Sequence, residues 1–327
     1  MKSFLSFLLV FLAACLGAQE PTKLKLTKTI PLPGVKGRFD HFAFDPNGHR
    51  LFVAALGNDT LEVIDRVEGK RLKTLGGLRK PTGVLYLARS NLIAVANGED
   101  GTLKVFNGAS YELTKTLSGL DDADNLRYDA TQAVIYLGYG AGALAVINAT
   151  TLQQTGSIKL SAHPESFQLE AGGSRAFVNL PDAKQVSVVD LEQRTVTATW
   201  PTERFRSNFP MALDEDSHRL FVGCRLPARL LVLDSSTGMS VANLEISSDA
   251  DDLFYDAKLK RLYISCGEGF VDVIEQQTPD HYRRLERIPT RLGARTSFFS
   301  SSTSELFVAV PKKGTEAAEL RVYQVQP

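Results

Sequence analysis

The chain writes one pattern seven times, at a spacing of 41 to 44 residues. Each copy runs through a short polar-to-apolar strand, an acidic turn, a strongly apolar strand and a Gly/Asp-rich turn. It then closes with an alternating strand that ends in Val-Ile-Asp or a relative of it. The first copy is DHFAFDPNGHRLFVAALGNDTLEVID, residues 40–65. Equivalent turn positions fall at Asp45, Leu87, Asp129, Glu170, Asp214, Asp256 and Ser300, in steps of 42, 42, 41, 44, 42 and 44. A fixed period in this range marks a repeat architecture, and about four strands per 40–45 residues is the signature of a propeller blade. In such a ring the innermost strands line a central channel, so equivalent residues of different repeats meet in one layer around it.

The seventh copy is one strand short. Arg295–Phe299, Glu305–Val310 and Glu319–Val325 read as its first three strands, and the missing outer strand has a candidate at the other end of the chain. That candidate, Leu24–Leu32 (LKLTKTIPL), resembles the outer strand Lys70–Leu75 of the first copy. The expected fold is all-β: a seven-bladed β-propeller of four-stranded blades, closed by the N-terminal strand completing the last blade. Such a clasp removes an open sheet edge. The blades resemble YVTN-type (YncE-like) propeller repeats, which are similar to WD40-like repeats, as in LFVAALGNDTLEVID (51–65) and LIAVANGEDGTLKVF (92–106). The resemblance spans a single expected domain, residues 19–327. It implies the fold and leaves the function open, because relatives include binding scaffolds, lactone hydrolases and electron-transfer enzymes.

Lys and Arg balance Asp and Glu at 37 each. No basic field is present for nucleic acid, which is therefore not an expected partner. Met1-Lys2-Ser3 followed by the uncharged apolar run Phe4–Ala14 reads as a secretion signal, residues 1–18, too short for a membrane span. Two cleavage readings stay open. Leu12-Ala13-Ala14-Cys15 resembles a bacterial lipobox, in which Cys15 would carry a lipid; otherwise cleavage falls after Ala18. Either reading makes the protein periplasmic or secreted, lipid-anchored in the first case, and a monomer is expected. Cys224 and Cys266 occupy equivalent places in neighbouring repeats, which sets them roughly 9–12 Å apart, beyond disulfide reach. Two buried free thiols are expected.

Aligning the seven inner strands ranks the candidate site residues. The entrance layer reads Asp40, Thr82, Asp124, Glu165, Phe209, Asp251 and Arg295, and the next reads His41, Gly83, Asn125, Ser166, Pro210, Asp252 and Thr296. Two positions upstream stand Arg38, Lys80, Asp122, His163, Ser207, Asp249 and Gly293. Alternation along a strand predicts that one layer faces the channel and the next faces the blades. Deeper positions are apolar and are expected to pack between blades, concentrating polarity at one mouth. Four carboxylates in one layer repel and raise one another's pKa unless a cation such as Arg295 intervenes. Clusters of that kind often mark ligand or metal sites. The loop Arg225-Leu226-Pro227-Ala228-Arg229 brings two further guanidiniums towards the same face.

The expected ligand-binding residues are Asp40, His41, Asp124, Asn125, Glu165, Asp251, Asp252 and Arg295, supported by His163, Arg225 and Arg229. They suit a small polar ligand or a loop of a periplasmic protein. An alternative is a metal-dependent, lactonase-like hydrolase. Asn125, Glu165, Asn208 and Asp252 resemble in type the metal set of gluconolactonase propellers, which implies a Ca or Mg ion. A third reading is an interaction scaffold with no small-molecule site. There is no G-x-S-x-G for a nucleophile, no C-x-x-C-H for haem and no G-x-G-x-x-G for a dinucleotide. The single tryptophan, Trp200, argues against a pyrroloquinoline cofactor.

Overall fold

The computed structural model describes residues 22–327 apart from Pro46, Gly172 and Glu203, and arranges them as seven four-stranded antiparallel sheets in a ring, a β-propeller. The expected secretion signal, residues 1–18, and with it Cys15, lies outside the described residues. The first blade comprises Phe42–Asp45, Arg50–Ala55, Thr60–Asp65 and Lys70–Leu75, from the channel outwards. The last comprises Thr296–Ser300, Glu305–Val310 and Ala318–Val325, with Leu24–Leu32 pairing antiparallel on its outer edge. Ile30 and Leu32 of that clasp are fully buried against Phe307, Leu320 and the first blade.

The apolar second strands explain how the ring holds together. Successive side chains point to opposite faces of a sheet, and both faces of a blade are covered by neighbours. Leu51, Val53 and Ala55 therefore pack against the seventh blade, while Phe52 and Ala54 pack against the second. The described core forms seven clusters, one at each junction between adjacent blades. A strand buried on both sides reads as an unbroken apolar run. Outer strands such as Lys70–Leu75 are largely exposed and charged.

The Asp or Asn that recurs at the end of third strands has a local cause. Asp65 Oδ1 accepts the backbone N–H groups of Val67 and Glu68, both at 2.9 Å. Asn107, Asn148 and Asp234 accept the equivalent pairs in their blades. A short acceptor two and three residues upstream mimics a backbone turn, so the Val-Ile-Asp ending specifies the hairpin into the outer strand. Asp45, Asp129 and Asp256 do the same after the inner strands. Cys224 and Cys266 are free and buried, as expected.

Candidate functional site: a two-chambered channel

The inner strands do not alternate at their entrances as predicted. Asp40 N–H donates to Ala54 O at 2.8 Å and Ala54 N–H donates to His41 O at 3.1 Å, so two consecutive residues face one partner. Asp124 and Asn125 face Gly138 in the same way, and Glu165 and Ser166 face Asn179. The register slips at the equivalent place between Pro81 and Val84, Asn208 and Met211, and Ala250 and Asp252. Two residues opposite one is a β-bulge, which bends the strand and re-aims its side chains. Residues of both layers consequently border the channel. Just upstream, Lys80, Asp122, Ser207 and Asp249 adopt left-handed backbone (φ 48° to 60°), a conformation uncommon outside glycine that turns the chain into the bulge.

The channel holds two cavities. The mouth, about 180 Å³, is bordered by Asp40, Asp124, His163, Glu165, Arg225 and Asp251, together with Arg38, Lys80 and Asp122. The inner chamber, about 640 Å³, runs from Asp252 past Phe254 and Phe298 to the turn Ser300–Ser302 at the opposite face. His41, Asn125 and Ser166 border both and form a waist between them.

The entrance acids are paired across blades. Arg225 contacts Asp251 and lies 3.4 Å from Asp249, while Arg295 reaches Asp249 at 2.8 Å and Asp251 at 3.2 Å. Arg38 pairs with Asp40 at 3.0 Å. At the waist, His41 Nε2 is 3.5 Å from Asp40 and Nδ1 is 3.5 Å from Asp252, whose other oxygen accepts the Ser297 N–H at 2.7 Å. Burial opposes the charge on His41, yet Asp40 and Asp252 outweigh it and push its pKa to about 10. Burial raises Asp40 to about 7 in spite of His41, aided by the charges of Asp124 and Asp251. Burial likewise pushes Asp251 up against the pull of Arg225 and Arg295.

Glu165 stands apart. Among the described residues it has no cation within ion-pair distance, and burial followed by the Asp124 charge raises its pKa to about 8. His163 is 3.9 Å from Asp124 and 3.8 Å from Asp122, and its Nδ1 lies 2.7 Å from the Gly140 carbonyl, to which it donates. Burial lowers its pKa, but Asp124 and the Gly140 carbonyl more than compensate and bring it to about 9. Near neutrality the mouth thus sets the protonated Glu165 carboxyl beside the charged imidazoles of His163 and His41.

Three expectations are corrected. Asn208 is fully buried, with its amide donating to Asn179 Oδ1 and Gln185 O, both at 3.0 Å. Arg229 lies on the third strand of its blade, paired with Cys224 and Glu245, and borders neither cavity. Arg295 sits behind Asp251 as its counter-ion and does not border the mouth itself. The set Asn125, Glu165, Asn208 and Asp252 therefore does not assemble: Glu165 faces the mouth, Asp252 the chamber, and Asn208 neither. The ligand atoms that do converge belong to Asp124, His163 and Glu165, all within 4.8 Å of one another.

Polarity also extends below the waist, where the strands were expected to be apolar. The next channel-facing ring contains Leu85, Arg127, Gln168, Phe254 and Phe298. Arg127 donates to Leu126 O at 2.8 Å, Asn125 Oδ1 at 3.3 Å and Ser166 Oγ at 3.4 Å, and its guanidinium lies 5.3 Å from the Phe167 ring centroid. Burial lowers its pKa to about 10 against the attraction of Asp252 and Asp124. The signal was present in the strand alignment: Arg127 is the one charged residue in a column otherwise filled by Ala43, Leu85, Gln168, Ala212, Phe254 and Phe298.

No protein-family model and no curated protein matches the chain. Solved structures do. A chain of a mitotic checkpoint complex superposes with a TM-score of 0.80 at 15% identity, covering 100% of this chain and 99% of that one. A chain of Kuenenia stuttgartiensis hydrazine synthase superposes with a TM-score of 0.75 at 16% identity, covering 85% and 95%. Identities this low carry the propeller fold and nothing about chemistry.

Proposed function

We propose that the protein is an exported, YVTN-like binding protein that captures a small polar ligand, or a loop of a periplasmic partner, at the mouth of its channel. The observation that carries this reading is the Glu165 carboxyl, which lacks an ion-pair partner among the described residues and shares one 180 Å³ pocket with His163, Asp124 and His41. Neighbouring acids are already neutralised by Arg38, Arg225 and Arg295. A ligand entering here meets hydrogen-bond donors and acceptors that are held in place by cross-blade pairs. Preorganised polar groups of this kind reduce the ordering cost of binding.

The test is a thermal-shift screen of small polar compounds on residues 19–327, repeated on Asp124→Asn and Glu165→Gln. A compound that raises the melting temperature of the parent but of neither variant supports the mouth as the site. Shifts that survive both substitutions move the site elsewhere. Export is tested separately by the N-terminus of the protein recovered from cells. An N-terminal Gln19 or a lipid-bearing Cys15 fits export, whereas a retained Met1 refutes it.

The convergence of Asp124, His163 and Glu165 favours one second reading, a divalent cation at the mouth that polarises an ester or lactone carbonyl. Binding would displace the His163 proton and ionise Glu165, so affinity would rise with pH. Hydrolysis that is abolished by chelator and restored by one cation selects this reading over simple capture. If Asp124→Asn, Glu165→Gln and chelation are all silent, the interaction-scaffold reading is left.

A further inference from the structure

The inner chamber differs from the mouth in wall chemistry and opens on the opposite face. Its wall is amphipathic around the ring. Arg127 and Gln168 stand on the third and fourth blades, whereas Phe254 and Phe298 stand across the channel on the sixth and seventh. The Phe254 and Phe298 rings meet edge to face at 5.9 Å, and Phe44 approaches Phe298 at 6.1 Å. All three rings are only half-buried, so their remaining surface faces the cavity.

Arg127 has no carboxylate within 4.0 Å among the described residues, unlike Arg38, Arg225 and Arg295. Its contacts are a backbone carbonyl, an amide oxygen and a hydroxyl; Asp252 and Asp124 attract the half-buried guanidinium only from beyond ion-pair distance. A cation in that position is costly unless an anion joins it. His41, the other cation on this wall, already lies between Asp40 and Asp252.

We infer that the inner chamber binds an amphipathic organic monoanion, its carboxylate held by Arg127 and its aromatic or apolar body packed on Phe44, Phe254 and Phe298. A guanidinium fork matches a carboxylate in geometry. Asp252 on the same wall disfavours a dianion such as a phosphate ester. The volume of about 640 Å³ suits a small-molecule ligand, and an inorganic anion would leave the aromatic half of the wall unused. This site lies beyond the waist and does not rest on the reading of the mouth.

The test is calorimetric titration of residues 19–327 with naphthalene-1-acetate, with its neutral amide and with inorganic phosphate. The acid is expected to bind at least about tenfold more tightly than the amide, a difference of about 1.4 kcal/mol, and phosphate weakly or not at all. Arg127→Met and Phe298→Ala should each weaken the acid by about tenfold or more, whereas Arg127→Lys, which keeps the charge but loses the fork, should weaken it less than Arg127→Met does, and Glu165→Gln, at the mouth, changes it less than about twofold. Equal binding of acid and amide overturns the proposal, and that comparison needs no variant to fold. So does unchanged binding in a folded Arg127→Met protein, loss of binding in Glu165→Gln, or no heat from the acid at millimolar concentration.

Discussion

Above the waist the channel is crowded with charges that pair across blades; below it the wall is amphipathic, and its one guanidinium, Arg127, has no carboxylate within ion-pair distance among the described residues. Both halves are built from the same seven inner strands, and the difference comes from what surrounds each charge. At the mouth, αL residues and bulges bring groups from separate blades close enough to pair, as Arg225 and Arg295 do with Asp249 and Asp251. In the chamber, the other positions of the ring are uncharged, and among the described residues no carboxylate comes within ion-pair distance of Arg127, although Asp252 and Asp124 attract it from farther away. A dense set of charges can therefore be less open to a ligand than a single isolated one.

The largest expected effect lies where the two halves meet. Asp252→Ala removes the acceptor of the buried Ser297 N–H and one of the two carboxylates flanking His41. Leaving a buried donor unsatisfied costs roughly 1–3 kcal/mol, so chemical denaturation should show a loss of about that size, with Asp252→Asn milder. A loss under about 0.5 kcal/mol, the range of a neutral surface change, would mean that the halves are structurally independent. His41 should also titrate below its present value of about 10 in Asp252→Ala, as imidazole NMR would report.

Arg127→Met comes next. Removing a half-buried cation that has no ion-pair partner among the described residues should leave stability unchanged or raise it by up to about 1 kcal/mol. Arg295→Ala, by contrast, strips Asp249 and Asp251 of a counter-ion and should lower stability by about 1–2 kcal/mol. Parallel urea melts compare the two directly, and equal losses would erase the distinction between paired and unpaired guanidiniums.

Glu165→Gln sharpens the comparison through pH. The folded-state pKa of Glu165 is raised from 4.5 to about 8, so the folded state holds this proton more tightly than the unfolded chain does. Its contribution to stability is full below about pH 4.5 and is lost as pH rises through 8. His163, raised from 6.5 to about 9, acts in the same direction between those values. The melting temperature should therefore fall between pH 5 and pH 9, and Glu165→Gln should flatten the slope, gaining a few degrees at pH 9 and nothing near pH 4. The smallest effect is expected of Arg229→Ala, which touches neither cavity: a change within about 0.5 kcal/mol and no change in ligand binding.

Much of this was legible in the chain. The clasp strand Leu24–Leu32 could be placed because an edge strand was missing from the seventh repeat, and the structure pairs it residue for residue with Ala318–Val325 apart from one bulge. Asp40, Asp124, Glu165 and Asp251 could be assigned to one layer because the period is regular, and all four border the mouth. Asn208 was misread because its place two residues before Pro210 fits a strand entrance equally well, whereas in space its amide is claimed by Asn179 and Gln185 of the neighbouring blade. Arg127 was passed over because its strand, Leu126–Asp129, looks like any other half-apolar inner strand until the columns are read one step deeper.

By itself the sequence determined the blade number, the closure and the turns, and placed Asp40, Asp124, Glu165 and Asp251 in one ring layer. These follow from local rules: a period of two along strands, side-chain acceptors that shape turns, and unbroken apolar runs where both faces are covered. Only the tertiary structure decided that consecutive residues both reach the channel, which arginine neutralises which acid, and that Arg127 has no carboxylate partner among the described residues. Those outcomes depend on bulges and on distances between blades, which are set by how seven sheets close around one axis rather than by any segment of the chain.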